Sequence, residues 1–363
     1  MNELLRKFDT WLQDAGPAAL VVREHLTPVE GLDGVLFPPT FAASQDGNFA
    51  GGYNIDDLPD GSNVCLIDSV GSQANRIEPL FAKAEYAALI PQIVVKAGEK
   101  TVNLLEAGHR AGDAIVRCSA LQEELHGAFE ALLSGNAEPL AKIGPTSLVF
   151  GTWDSRDTQA KLPRLIASTI RAFDVRPLTR SANFLVQQQL DYVREGLLPE
   201  PSESEKKQYS RHGYLNALAS KTPGGVIATS GIRRDASLHL AALRLLAAGK
   251  DEAKTLKLRR YIFGLALTAF TYSPSGYLRQ GCNLVLDPGK PRDFVEVYGD
   301  GRRLPASVTH AEALEYARAS AGDFGVGENR SVEFDKERAK KDVSGEATNS
   351  ERKAKKTRSK SAE

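Results

Sequence analysis

GGVIATSGIRRDASLHLAALRLL, residues 224–246, sets a β-branched run against an apolar periodic one, and its reading decides the fold. Residues 225–229 have the composition of a short strand. From 236 to 248 the apolar side chains Leu238, Ala241, Ala242, Leu245 and Leu246 fall on one helix face, with Asp235 as a natural N-cap and Gly249 as the stop. Read this way, a strand ends, Ser230 and Gly231 follow, and Arg233 and Arg234 sit just ahead of a helix start.

The same mixture continues on both sides. Alternating or β-branched runs at residues 18–29, 64–70, 92–96, 147–150 and 283–286 predict strands. Helical periodicity predicts helices over 164–173, opened by Pro163, and over 256–270 and 311–319. Strands and helices are interleaved, so the expected class is α+β, with helices packed against a largely antiparallel sheet. Two stretches read as insertions: residues 27–62, rich in Gly, Pro, Asn and Asp, and residues 187–224, which contain the polar run PEPSESEKKQYSRHG.

The 363 residues are 42% hydrophobic and 25% charged, enough for a sizeable core and too apolar for whole-chain disorder. Lys+Arg and Asp+Glu are equal at 46 each, so any polyanion site must be a local patch. Residues 333–363 differ: 10 basic and 7 acidic residues leave almost no large apolar group, which predicts a disordered, basic C-terminal tail after a folded unit spanning residues 1–332. Three widely spaced cysteines, Cys65, Cys118 and Cys282, support neither a disulfide framework nor a zinc site. The first residues, MNELLRKFDTWLQD, are amphipathic rather than signal-like, and the longest apolar stretch falls short of a membrane span. The expected setting is the cytoplasm, with no membrane partner.

Searches for catalytic and cofactor signatures return little. There is no GxxxxGK[ST], HExxH, GxSxG or strand-to-helix GxGxxG, and the six histidines never pair at i,i+4, so neither a cofactor nor a metal is expected. What remains are three segments in which polar residues and an arginine follow a strand. In the first, Ser72, Gln73, Asn75 and Arg76 follow residues 64–70; Pro79 leaves open a helix starting late, near 75–78, or a turn with a helix opening at Pro79. The second is Arg233 and Arg234, and the third is Arg156 beside Trp153. Helix N-termini with such side chains seat phosphate well. His109 with Arg110, Arg180 with Ser181, and Arg279 near Tyr277 complete the set.

LIDSVGSQANRIEPLF, GHRAGDAIVRCS, FGTWDSR, RPLTRSANF and GGVIATSGIRRDASLHLAALRLL, in this order, resemble the backbone subunit (Cas-seven type, Csb-one family) of a type I-U, also called I-G, CRISPR Cascade surveillance complex. The resemblance implies a RAMP-type protein with a ferredoxin-like, RRM-like core carrying insertions, one of them a thumb within 187–224. It implies a non-catalytic role in antiviral defence: several copies stack along one guide RNA, hold its backbone and support pairing with target DNA. The implied partners are crRNA, target DNA, further copies of the chain, a Cas-five/Cas-six-like subunit and a large subunit. Carried onto this sequence, Ser72, Gln73, Asn75 and Arg76 hold the guide backbone, with Arg156, Arg180, Arg233 and Arg234 as further contacts. Two alternatives compete: a metal-dependent ribonuclease using a loop aspartate (Asp33, Asp46, Asp56 or Asp57), and a small-molecule α+β enzyme unrelated to nucleic acid.

Overall fold

A computed structural model describes residues 3–185, 191–273 and 275–344. The chain is mixed helix and sheet, and its centre is a curled, antiparallel sheet. We number its main strands β1 (Ala19–Pro28), β2 (Asn63–Asp68), β3 (Ile166–Phe173), β4 (Val175–Phe184), β5 (Ala217–Ala228), β6 (Ile232–His239), β7 (Cys282–Leu286) and β8 (Asp293–Val297). The main helices are α1 (Val70–Ile77), α2 (Gln122–Leu133), α3 (Glu252–Thr271) and α4 (His310–Phe324).

Across the sheet the order is Tyr277–Arg279, β7, β1, β6, β3, β2 and Ile55–Asp57, with β8 sharing the outer edge of β1 with β7. β4 and β5 form a separate antiparallel pair that leaves the sheet where β3 and β6 end. The strands bury one face. Leu20, Val22, Ala236, Leu238 and Ile166 join the main core beneath α3 and α4, while Cys65, Ile67, Ile170, Ala172, Ile232 and Leu284 form a smaller core at the other end. The alternation along each strand puts every second residue on the opposite, half-exposed face.

α3 is buried along most of its length and packs against α4. Gly264 makes this approach possible, because a Cβ there would lie 2.6 Å from Ser320 Oγ and 2.9 Å from the Ala317 Cα. Gly264→Ala is therefore expected to lower stability by about 1–3 kcal/mol through overpacking, measured by thermal denaturation.

Several expectations are corrected. Residues 164–173 are strand β3, not a helix: Ile166, Ser168, Ile170 and Ala172 alternate into the core, and ladders on both edges hold the segment extended. Residues 236–248 likewise open as strand β6 and continue as the short helix Leu240–Leu243, so Asp235 is not an N-cap. Residues 147–150 are helical, within Thr146–Phe150, because a wholly buried run fits either period.

The polar residues before Pro79 lie on a helix and not in an irregular segment. Ser69 caps α1 directly after β2, and Pro79 opens a separate 3-10 turn, Glu78–Ala82. Arg330–Glu333 pairs in parallel with Ile93–Ala97, and Lys336–Ser344 is a helix, so order extends beyond the expected boundary at 333. The remainder of the expected tail, 345–363, lies outside the described residues, as do 186–190 of the expected second insertion.

Residues 27–62 do not stand free. Leu36 is buried and bridges to Val226, and the Gly225 N–H donates to Tyr53 Oη at 2.9 Å, so this insertion clasps the base of the β4–β5 pair. From that base residues 175–228 form an arm. Its outer part contains the helix Glu203–Arg211, and none of the described residues 191–216 is buried.

Candidate nucleic-acid interface

Asp68 closes β2, and its side chain is fully buried. Because Ser69 starts α1 at once, Ser72, Gln73 and Arg76 fall on the helix face turned toward that carboxylate. Ser72 Oγ donates to Oδ1 at 2.8 Å, Gln73 Nε2 to Oδ2 at 2.6 Å and Arg76 Nε to Oδ2 at 3.1 Å. Arg279 arrives from Tyr277–Arg279 and donates to Oδ1 at 3.0 Å. Four residues singled out in the sequence thus converge, but on an internal acceptor. Arg76 also donates to the Leu278 carbonyl and Arg279 to the Ile67 carbonyl, so both guanidiniums tie the sheet end together. Their side chains stay 30% and 26% exposed, which leaves a basic edge at the surface. Asn75 is exposed on the outer side of α1.

The remaining sequence candidates separate. Arg110 is buried, donates to Glu78 Oε2 at 2.7 Å and to the Gly151 carbonyl, and lies over the Phe150 ring, so it holds the core and does not reach solvent. Burial pushes the Glu78 carboxyl up to about 7, against the opposing pull of Arg110. His109 is exposed beside Asp113. Arg156 lies on an exposed turn next to the exposed Trp153; Asp154, which could have paired with it, accepts from Thr158 instead. Arg180 and Ser181 are exposed on the arm, with Arg180 5.8 Å from the Phe37 ring centroid.

Arg233 and Arg234 are neighbours on β6 and point to opposite faces. Arg234 is on the core face, 7% exposed, and donates to Glu24 Oε2 at 2.6 Å. Arg233 is on the half-exposed face, where the register sets His25 of β1 on one side of it and Arg171 of β3 on the other. One step along, Arg23 and Thr169 flank Asp235. Adjacent strands are about 4.8 Å apart, so these side chains form one contiguous patch.

Asp235 organises the patch. Arg233 Nε donates to Oδ2 at 2.7 Å and Arg23 Nε to Oδ1 at 3.0 Å. Burial alone would raise this carboxyl, but the hydrogen bonds from Arg233 and Arg23 outweigh it and hold it below the usual range. Arg233 stacks over Phe173, 4.6 Å from the ring centroid, and Arg171 donates to Thr169 Oγ1. Asp293 stands opposite Arg23 on β8, so the face becomes more basic toward β3, where the chain enters the arm carrying the exposed Arg176 and Arg180.

Sequence reasoning missed Arg23, His25 and Arg171. The alternation of β1 was sufficient to put Arg23 and His25 on one face. Arg171 was hidden by the helical reading of its segment. For the ribonuclease alternative, no group of three or more His, Cys, Asp or Glu residues able to hold a metal exists among the described residues, and Asp46 accepts hydrogen bonds from Asn48 within its own turn.

No helix among the described residues is long and apolar enough to cross a membrane. No curated protein matches the chain. Residues 20–177, which span β1 to β3 and include Asp68 with Ser72, Gln73 and Arg76, match the family model described as CRISPR-associated protein GSU0053 (Cas_GSU0053), so this part of the chain is similar to a CRISPR-associated protein family.

Proposed function

We propose that the protein is a non-catalytic backbone subunit of a type I-U (I-G) Cascade complex, gripping guide RNA through its sugar-phosphate chain. The observation that carries this reading is the cluster of Arg23, Arg233 and Arg171 on three neighbouring strands of one half-exposed sheet face, with Phe173 beside it and the arm rooted at its end. An open sheet face with arginines and an aromatic ring suits single-stranded RNA, whose phosphates take the charge and whose bases stack. The family match over residues 20–177 supports the same assignment and is consistent with a Cas7-type subunit.

In this reading the sheet is the RRM-like core and the β4–β5 arm is the thumb that presses on the guide. Successive copies stack along the RNA in the cytoplasm, and the remaining Cascade subunits cap the stack. Base pairing between guide and target DNA reads the sequence, so the protein needs only backbone and shape contacts. The equal numbers of acidic and basic residues fit a subunit whose acidic surface meets a neighbour's basic one.

Co-expression with a repeat array tests the proposal. The purified protein is expected to carry RNA, read as a raised 260/280 nm absorbance ratio, and protein free of RNA would reject it. Arg171→Gln combined with Arg233→Gln is expected to weaken binding alike for all guide sequences. The slope of log affinity against log salt should flatten by about 0.7 for each phosphate no longer held.

A further inference from the structure

A cavity of about 260 Å³ opens on the core side of the sheet, beside the smaller core. Ile170, Leu278 and Leu284 in its wall are buried, whereas Leu286, which pairs with Leu26 at the mouth, is 55% exposed. Ser273 and Ser275 bring hydroxyls to the same wall, as a docked peptide backbone needs. The flanks of this slot are cationic. Arg234 and Arg292 share one carboxylate, Glu24, at 2.6 and 3.1 Å, and Arg76 and Arg279 share another, Asp68, at 3.1 and 3.0 Å. Two wall residues join the second cluster to the cavity: Gln73 donates to Asp68, and the Leu278 carbonyl accepts from Arg76. Each cluster sets two guanidiniums against one anion and so keeps a net positive charge beside apolar surface. A leucine side chain on an acidic segment matches both features.

The arm of this chain carries such a segment. Residues 195–205, EGLLPEPSESE, hold four glutamates and no lysine or arginine. Glu203 and Glu205 are engaged by Lys206 and Ser202, while Glu195 and Glu200 stay exposed on either side of Leu197. Leu197 is 61% exposed, yet its turn is already fixed: the Leu197 and Leu198 N–H groups donate to the Tyr192 carbonyl at 2.9 and 3.0 Å, and Tyr209 Oη donates to the Pro199 carbonyl at 3.0 Å. An apolar side chain held out on an ordered turn loses little freedom when it docks. We propose that residues 195–205 of one copy dock in this cavity of the next, with Leu197 entering past Leu286 and Glu195 and Glu200 facing the two arginine clusters. Such a contact is head-to-tail: it leaves a free arm at one end and a free cavity at the other, and it repeats along a stack. The inference rests on the guide-RNA reading for the stacking of copies, and it names the surfaces that meet.

One leucine and two carboxylates bury too little to hold two copies together unaided, so trapping the encounter reads the contact where mass would not. Cysteines added to the full chain allow this, because Cys65, Cys118 and Cys282 are buried. Leu197→Cys protein treated with a short bismaleimide is expected to capture Leu286→Cys protein about tenfold faster than it captures Leu245→Cys protein, whose site is 82% exposed but away from the cavity. Glu200→Lys added to the Leu197→Cys chain is expected to slow the capture, and free peptide 195–205 to compete with it, while circular dichroism stays unchanged. Equal capture of Leu286→Cys and Leu245→Cys would overturn the proposal. So would a chain carrying both Leu197→Cys and Leu286→Cys that closes on itself at a rate independent of concentration. Selective capture by a chain that carries no RNA after co-expression keeps the interface and removes the backbone-subunit reading. RNA carriage without selective capture does the reverse.

Discussion

Asp68→Ala is expected to lower the melting temperature by roughly 10 °C and to disable guide binding together with it. Four side chains donate to this carboxylate: Ser72, Gln73, Arg76 and Arg279. Removing it leaves two guanidiniums facing one another without their anion, and breaking such a partly buried pair costs about 3–5 kcal/mol. Asp68→Asn keeps the shape but turns amide donors toward guanidinium donors, so it should recover little. The sheet end depends on this anchor, because Arg76 and Arg279 link α1 to the strand Tyr277–Arg279 across more than 200 residues of sequence. An Asp68→Ala protein with unchanged melting would show that the network contributes no stability.

Arg110→Met should cost a similar amount, about 3–5 kcal/mol, with a pH dependence that identifies the cause. Glu78 is almost fully buried, and its carboxyl is already pushed up to about 7 with Arg110 present; without that guanidinium it rises further. The folded protein then keeps a proton that the unfolded chain loses above its ordinary value of 4.5. Where the folded state holds more protons, stability falls as pH rises. Wild type shares this slope up to about pH 7, so the extra deficit of Arg110→Met is expected to be nearly constant below pH 7 and to grow from there through pH 8, as read from urea midpoints. Adding Glu78→Gln should flatten the slope and restore part of the loss. A deficit of equal size at pH 5 and pH 8 would rule out the buried carboxylate as its source.

The class of fold was legible in the sequence, and several of its elements were not. Residues 256–270 and 311–319 gave α3 and α4 because long periodic runs with clear caps have one reading. Segments 164–173 and 236–248 failed for the opposite reason. Ile166, Ile170 and Leu238 satisfy both a helical and an alternating period over so few residues, and only pairing with β1, β2 and each other decides between them. That error carried into the site. A helix reading of 236–248 made Asp235 a cap and treated Arg233 and Arg234 as equivalent, whereas a strand sends one to the basic face and the other into the core. Ser72, Gln73, Arg76 and Arg279 were recognisable as a set, yet their common partner Asp68 could be found only from the fold.

The antiparallel neighbours of β1 have a consequence for synthesis. β1 is made within the first 28 residues, yet its partners are 232–239 on one edge and 282–286 with 293–297 on the other. At ordinary translation rates the first strand waits about ten to fifty seconds for them. During that interval Leu20 and Val22 have no sheet to join, and neither ladder edge is closed. The apolar face of β1 therefore stays uncovered for most of elongation, and Arg23, Arg171 and Arg233 come onto one sheet face only when β6, which ends at residue 239, has left the ribosome.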